Sequence, residues 1–360
     1  MSDADHMRRA LALARRALGR VAPNPAVGCV IVSAEGRVVG RGWTAPGGRP
    51  HAETMALANA GALAKGATAY VTLEPCAHYG LTSPCAEALA KAGVRRLVGA
   101  ATDPDPRVNG RGFALLRAGG VDVSVGVLGE EAVALNRGFF LRITKDRPLV
   151  TLKMAQSRDR KTIPAHGSKR WITNEDSRRF AHLLRAKHDA ILVGIGTVLA
   201  DDPLLTCRLP GLENRSPVRV ILDRQLRTPE FAKVVETAWH VPTLILTAVE
   251  AGDHLRTHGA EVLKLPPNAQ GRLPLSRVLQ ALALRGHTRL LVEGGATTIS
   301  EFLREGFADE LEIFTARTDL GDSAQGHLPE LAAALISGRY EEIGLRCFGT
   351  DMLETYRLRA

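Results

Sequence analysis

Apolar residues recur at helical spacing over residues 5–18, an Ala/Leu/Arg-rich stretch closed by Gly19, and predict a first helix. The period then changes. Pro23-Asn24-Pro25-Ala26-Val27-Gly28 makes a turn that feeds the apolar run 29–32, and after a short connection containing Gly36 the run 38–43 returns, which predicts a hairpin. Gly47-Gly48-Arg49-Pro50 is a loop that delivers His51 to the start of a helix over 53–64. A strand over 68–73 ends at Glu74-Pro75, and the loop opened by Cys76 runs to Cys85, which follows Ser83-Pro84 and heads a helix over 86–92. A strand over 94–100, a short helix over 113–118 and a strand over 121–125 complete a sheet covered by helices. Asn136-Arg137-Gly138-Phe139-Phe140 reads as the way out of this domain. The polar stretch Thr144-Lys145-Asp146-Arg147-Pro148 precedes a fresh apolar strand, and so places domains at 1–146 and 147–360.

The second domain opens with a strand over 149–154 and a basic loop over 157–170. Thr173 and Asp176 offer a capping box for an amphipathic helix that runs through Arg185. A buried strand over 190–194 leads into Gly194-Ile195-Gly196-Thr197, and a second over 289–293 leads into Gly294-Gly295-Ala296-Thr297-Thr298 at a helix start. Glycines admit close backbone approach and a helix N-terminus favours phosphate, so two such turns suggest a cofactor with a pyrophosphate. Their spacing is not the Gly-x-Gly-x-x-Gly of dinucleotide-binding folds.

Composition narrows the class. At 360 residues and 45% hydrophobic the chain can bury two cores, and it lacks the roughly 20 uninterrupted apolar residues of a membrane span. Its first residues are polar and acidic where a signal peptide is basic and then apolar, so a cytoplasmic protein without a membrane partner is expected. Five scattered cysteines suit thiols or metal ligands better than a disulfide framework. A net charge of +9 raises a polyanionic partner, but aromatics are only 4% and no dense Lys/Arg run is present. No nucleic-acid partner is expected, and a small phosphate-bearing substrate accounts for the charge.

Within this frame His51, Cys76 and Cys85 are ligands of the kinds zinc prefers, and three of them leave a fourth position for water. Glu53, two residues beyond the histidine, can shuttle protons without ligating. Placement near helix N-termini favours thiolates. The zinc-deaminase signature has two residues between its cysteines, and here there are eight, 77–84. His78 in that loop is either a fourth ligand, which would close the site, or a pocket residue. The second reading is adopted because the loop gives room for substrate contacts. Asn24, between two prolines, either shapes its turn or holds a substrate-reading amide. Cys29, Cys207 and Cys347 are expected to be packing residues.

Pro23-Asn24-Pro25-x-Val27-Gly28, His51-Ala52-Glu53, the run from Gly66 to Cys76 with His78, and Asp103-Pro104-x-Pro106-x-Val108-x-Gly110 strongly resemble the deaminase half of the bifunctional deaminase-reductases of riboflavin biosynthesis. Trp171-Ile172-Thr173, Leu184-Arg185-Ala186, the run from Val193 to Pro203, Thr206-x-Arg208 and Glu293-Gly294-Gly295 are similar to the reductase half. The resemblance spans nearly the whole chain. It implies a cytidine-deaminase-like three-layer α/β/α domain followed by a dihydrofolate-reductase-like α/β domain. It also implies one zinc ion on His51, Cys76 and Cys85, with Glu53 as the proton shuttle and Asn24 and His78 toward the substrate. In the second domain it implies NADPH on Gln156, Trp171, Thr197, Asp201, Gly295, Ala296 and Thr297. Lys169, Arg185, Leu205, Arg208 and Glu293 would face the substrate, and Lys153 is a candidate for polarising the sugar carbon that is reduced. The implied substrate is a phosphoribosyl pyrimidine, and a homo-oligomer is expected.

Two departures stand out. Family members read Ser-Leu-Asp-Gly where this chain has Ser157-Arg158-Asp159-Arg160, and Lys169 stands where they have a serine. Arg160 is expected to remove a positive-φ turn, and Lys169 a hydroxyl contact that the neighbouring Ser168 could replace. Both motivate an alternative in which the second domain only binds or assembles. A nucleic-acid-editing deaminase is the other alternative, motivated by charge and discriminated by salt-dependent RNA binding.

Overall fold

A computed structural model describes residues 1–80, 83–162, 171–324, 326 and 328–359, so Lys169 and Ser168 lie outside the described residues. The chain divides into two compact units, Met1–Asp146 and Arg147–Ala360.

In the first unit the order is α1 (Asp3–Ala14), β1 (Gly28–Val32), β2 (Val38–Trp43), α2 (Ala52–Ala60), β3 (Thr68–Val71), α3 (Cys85–Lys91), β4 (Arg96–Gly99), α4 (Arg111–Ala118), β5 (Asp122–Val125), α5 (Gly129–Leu135) and α6 (Arg137–Lys145). The sheet runs β2-β1-β3-β4-β5, antiparallel across its first three strands and parallel thereafter. Helices cover both faces. A Cβ on Gly28 would lie 1.9 Å from the Ala10 carbonyl of α1, whereas Gly40 and Gly42, whose side of the sheet is the opposite one, would meet Ala56 and Ala52 of α2 at 2.2 and 2.1 Å. Only glycine at 40 and 42 lets α2, and with it His51 and Glu53, lie directly on the strand.

Five expectations are corrected. The first helix is shorter than 5–18: Ser2 caps it in a capping box with Asp5, and a 3₁₀ turn follows from Arg15. The stretch around Asn136 is no exit but the joint between α5 and α6. There Asn136 is buried, accepting the Ala26 amide at 2.8 Å and donating to its carbonyl at 3.0 Å.

The second unit contains β6 (Leu149–Gln156), α7 (Glu175–Ala186), β7 (Ala190–Gly194), α8 (Ile195–Asp201), β8 (Val218–Leu222), α9 (Lys233–Glu236), β9 (Thr243–Thr247), α10 (Asp253–Arg256), β10 (Glu261–Lys264), α11 (Leu275–Leu284), β11 (Arg289–Glu293), α12 (Ala296–Arg304), β12 (Glu310–Thr315), α13 (Pro329–Ile336), β13 (Tyr340–Phe348) and β14 (Asp351–Leu358). Its sheet runs β10-β9-β8-β7-β11-β6-β12-β14-β13, parallel throughout except β14, which is antiparallel to both its neighbours, β12 and β13. Alternate residues of one strand enter different cores: Ala190 and Leu192 pack in one, Ile191 and Val193 in the other. Both faces are therefore covered, as a parallel sheet requires.

The third correction is the cap of α7. Asn174, not Thr173, is the N-cap, and its side chain accepts the Ser177 amide at 3.0 Å. Cys29 and Cys207 are buried as expected, but Cys347 is exposed because β13 is the outermost strand. Arg160 also behaves differently from the expectation. It adopts φ 60 itself, so the left-handed turn persists with arginine in it, closed by Arg160 N to Ser157 O at 2.9 Å and held by Asp159, which accepts Leu320 N at 3.1 Å and Gly321 N at 2.9 Å.

Candidate active sites

In the first unit His51 is the N-cap of α2, Glu53 lies in its first turn, and Cys85 is the first residue of α3. Cys76 is on no helix, yet its Sγ accepts the Cys85 amide at 3.2 Å and its carbonyl accepts Ala86 N at 3.3 Å, so it docks on the N-terminus of α3. The ligand atoms converge. Cys76 Sγ is 3.7 Å and Cys85 Sγ 3.3 Å from His51 Nδ1, and all three atoms lie within 4.8 Å of one another. Zinc bond lengths and tetrahedral angles require separations of about 3.5 to 3.8 Å, and the 3.7 and 3.3 Å found here lie within or just short of that range, so the set fits zinc with a small shift of Cys85. Among the described residues His78 does not join this group, which disfavours a closed four-ligand site.

The electrostatics suit the same use. The Cys76 thiol is pulled down to about 4, first by its hydrogen bond with Cys85, against burial and with help from His51. Cys85 is pushed up by that same bond, by burial and by Glu53. His51 is raised chiefly by its bond with Cys76. Glu53 is buried, and burial drives its carboxyl up to about 7 against the pull of His51.

Asn24 donates its side-chain N–H to Gly48 O at 2.9 Å, tying the proline turn to the loop that delivers His51; the turn-shaping reading is thus the one its nitrogen serves. His78 Nδ1 is buried without a hydrogen-bond partner among the described residues.

In the second unit Gln156 and Glu293 end β6 and β11 and Thr197 lies just beyond β7, at the carboxyl ends of strands where open α/β sheets bind ligands. The two glycine turns meet there. A Cβ on Gly194 would lie 2.7 Å from Thr298 Oγ1 and one on Gly295, at φ 68, would lie 3.4 Å from Thr197 Oγ1. Ala296 starts α12 and Thr297 is exposed beside it, while Asp201 ends α8. Gln156 donates to Thr315 Oγ1 at 3.1 Å. Trp171 is exposed, with the Arg178 guanidinium 5.4 Å from its ring centroid.

Arg185 does not present its fork outward. Its Nε and Nη2 each donate to Glu293 at 2.8 Å and its Nη1 donates to Thr206 O at 2.9 Å, so the bidentate face expected for phosphate is occupied by Glu293. Arg208 is exposed and linked only loosely, Nη1 to Thr206 Oγ1 at 3.4 Å. Leu205 has φ 55 and a buried side chain. Lys153 pairs in register with Glu293 across β6 and β11; burial lowers its pKa while Glu293 opposes.

Sequence reasoning missed His182, whose Nδ1 contacts Thr206 O at 3.0 Å and helps pin the Thr206–Arg208 turn to α7. It also passed over Glu74 as a strand end, although a carboxylate beside a ligand cysteine in an apolar run was a usable signal.

Burial alone would raise Glu293, but the charge and hydrogen bonds of Arg185, with Lys153, hold it down to about 2. Its folded value lies below the unfolded 4.5, so its stabilisation is whole above about pH 4.5 and is lost as pH falls through about 2. The expected loss is about 3 kcal/mol for this group. Unfolding midpoints of the second unit across that window should carry the slope, and Glu293→Gln should flatten it.

The family model for the RibD C-terminal domain matches residues 148–350, and that for the cytidine and deoxycytidylate deaminase zinc-binding region matches residues 1–101. The riboflavin biosynthesis protein RibD of Aquifex aeolicus (strain VF5) is 45% identical over 322 residues, covering 89% of this chain and 88% of its own. RibD of Acinetobacter baumannii (form 1) superposes with a TM-score of 0.88 at 38% identity over 99% of both chains. The crystal structure of a diaminohydroxyphosphoribosylaminopyrimidine deaminase/5-amino-6-(5-phosphoribosylamino)uracil reductase from Thermotoga maritima gives 0.87 at 34% identity, again over 99% of both. A zinc-ligand set in a deaminase unit, followed by a reductase unit, with 88 to 99% of these relatives' lengths covered, makes this chain a member of the RibD family of bifunctional riboflavin-biosynthesis enzymes.

Proposed function

We propose that the chain carries the deaminase and reductase activities named for its Thermotoga maritima relative, as hydrolytic deamination of a phosphoribosylated diaminopyrimidinone followed by reduction of the ribosyl group of the resulting aminouracil to ribityl. The observation that carries this reading is the convergence of His51, Cys76 and Cys85 at the start of the helix that bears Glu53. Those three residues would hold zinc, which when bound supplies Lewis-acid activation of water. Glu53 takes a proton from water and passes it toward the ring nitrogen and the departing amino group, so that ammonia leaves as the carbonyl forms. Asn24 fixes the loop before His51, and His78 faces the bound pyrimidine.

In residues 147–360, NADPH supplies the reducing equivalents, and the turns at Thr197 and at Gly295, Ala296 and Thr297, with Gln156, Trp171 and Asp201, would hold it. Lys153, lodged beside Glu293, acts on the sugar carbon. Arg208 meets the phosphate, Leu205 offers its main chain, and Arg185 orients Glu293. Lys169 is proposed for the same substrate. The Arg160 turn removes one reason for suspecting the second unit, because its left-handed geometry is kept.

No helix of the described residues is long and apolar enough to cross a membrane. We place the chain in the cytoplasm as a homo-oligomer.

A coupled assay on the diaminopyrimidine phosphate, following ammonia release and NADPH oxidation separately, tests the reading. Both signals are expected in sequence. Ammonia without NADPH oxidation would reduce the second unit to a binding or assembly role, and light scattering of the same preparation as a monomer would remove the oligomer.

A further inference from the structure

Glu74 takes no chemical part in the reading above, yet its buried carboxylate is met by four main-chain N–H groups. Gly112 and Phe113 donate to Oε1 at 2.8 and 3.3 Å, and Gly110 and Asp103 donate to Oε2 at 2.9 and 3.2 Å. Three of these donors belong to the start of α4, whose N-cap is Gly110 at φ 86. Gly110 has no side chain to cap its own helix. A carboxylate from 36 residues earlier takes that place, where the exposed helix donors and the macrodipole both favour an anion.

The fourth donor opens the Asp103-Pro104-Asp105-Pro106 segment, a motif that neither reaction has so far used. Asp103 Oδ1 in turn accepts Asp105 N at 2.8 Å, and Asp105 holds the Arg107 guanidinium at 2.6 Å. The joint is tight on the backbone as well. Glu74 N donates to Ala101 O at 2.9 Å, and a Cβ on Gly112 would lie 2.0 Å from the Pro75 carbonyl. Cys76 follows Pro75 directly and is fixed on its other side by α3, through its Sγ and its carbonyl.

We propose that Glu74 is a positioning residue for the metal ligand Cys76: its carboxylate locks the 74–76 segment onto the N-terminus of α4 and the Asp103–Gly110 loop. The Cys76 sulfur is thereby set at its distance from His51 before any metal arrives. This rests on the reading of His51, Cys76 and Cys85 as a zinc set. Glutamine at position 74 would keep the shape but turn one amino group toward N–H donors, so half of the joint would face donor against donor.

The test uses the full chain, with zinc affinity from chelator competition and the visible absorption of the cobalt-substituted protein. Glu74→Gln should bind zinc about tenfold to hundredfold more weakly, shift the cobalt bands and lower deaminase turnover per bound metal, with NADPH oxidation unchanged. Gly112→Ala, which pushes on Pro75 from the other side of the joint, should move zinc affinity in the same direction, and it decides the matter if Glu74→Gln does not fold. Arg96→Met breaks the 2.7 Å ion pair with Asp3 in the same unit and controls for stability alone. It should lower the unfolding midpoint and leave zinc affinity unchanged. Parental zinc affinity and cobalt spectrum in the joint variants, whatever their midpoints, overturn the proposal, as does an equal loss of zinc in Arg96→Met. A parent chain that binds no zinc would instead sink the reading of the ligand set.

Discussion

Glu53→Gln should cut ammonia release by about a hundredfold to ten-thousandfold, the range that a positioned general acid–base group contributes. Glutamine fills the same volume and keeps a hydrogen-bonding end, so the first turn of α2 has no reason to rearrange. What it loses is the ability to take up and release a proton. Because the ligand atoms come from His51, Cys76 and Cys85, zinc content should stay near one per chain. NADPH oxidation with the deaminated intermediate supplied should be unchanged. Retained deamination in a zinc-loaded variant would refute the assignment of Glu53.

Arg185→Ala carries the largest expected effect in the second unit. It strips Glu293 of two hydrogen bonds and its principal counter-charge in a buried setting, and it takes a donor from Thr206 O. Breaking one side of a buried pair in this way costs about 3 to 5 kcal/mol, whereas replacing both sides with neutral groups of similar volume costs much less. The single variant should therefore lower the unfolding midpoint of the reductase unit and abolish NADPH oxidation. The double variant Arg185→Met/Glu293→Gln should regain most of the midpoint without regaining activity. If the double variant also recovered activity, the pair would be scaffolding and the placement of Glu293 at the substrate would be wrong.

Features that depend on neighbouring residues were legible in the sequence. The hairpin before Trp43, the strands leading into both glycine turns and the ligands at loop-to-helix junctions announce themselves through period, proline and glycine. Contacts that close over long separations were not. Arg185 and Glu293 meet across 108 residues, and Asn136 meets Ala26 across 110, so neither side chain's commitment could be read locally. Phosphate recognition by Arg185 was chemically sound and still met an occupied fork. The helix α5 escaped because its N-cap is Leu128 at φ 53, which carries none of the usual start signals. The cap of α7 went to Asn174 because the chain around Asp351 and Phe348 holds it, Asp351 accepting its amide at 2.7 Å and Phe348 O its side-chain N–H at 2.5 Å. Cys347 was misplaced because nothing in its own strand says that this strand lies at the edge of the sheet.

Each of the two units closes its own core within a single chain. Synthesis of the protein therefore yields deaminase and reductase sites in strict one-to-one stoichiometry, and transcription cannot adjust one against the other. At given substrate, zinc and NADPH levels, the balance between making the deaminated intermediate and consuming it is set by the intrinsic turnover of the two sites. Selection to keep that intermediate scarce must then act on the residues of the two sites rather than on a promoter.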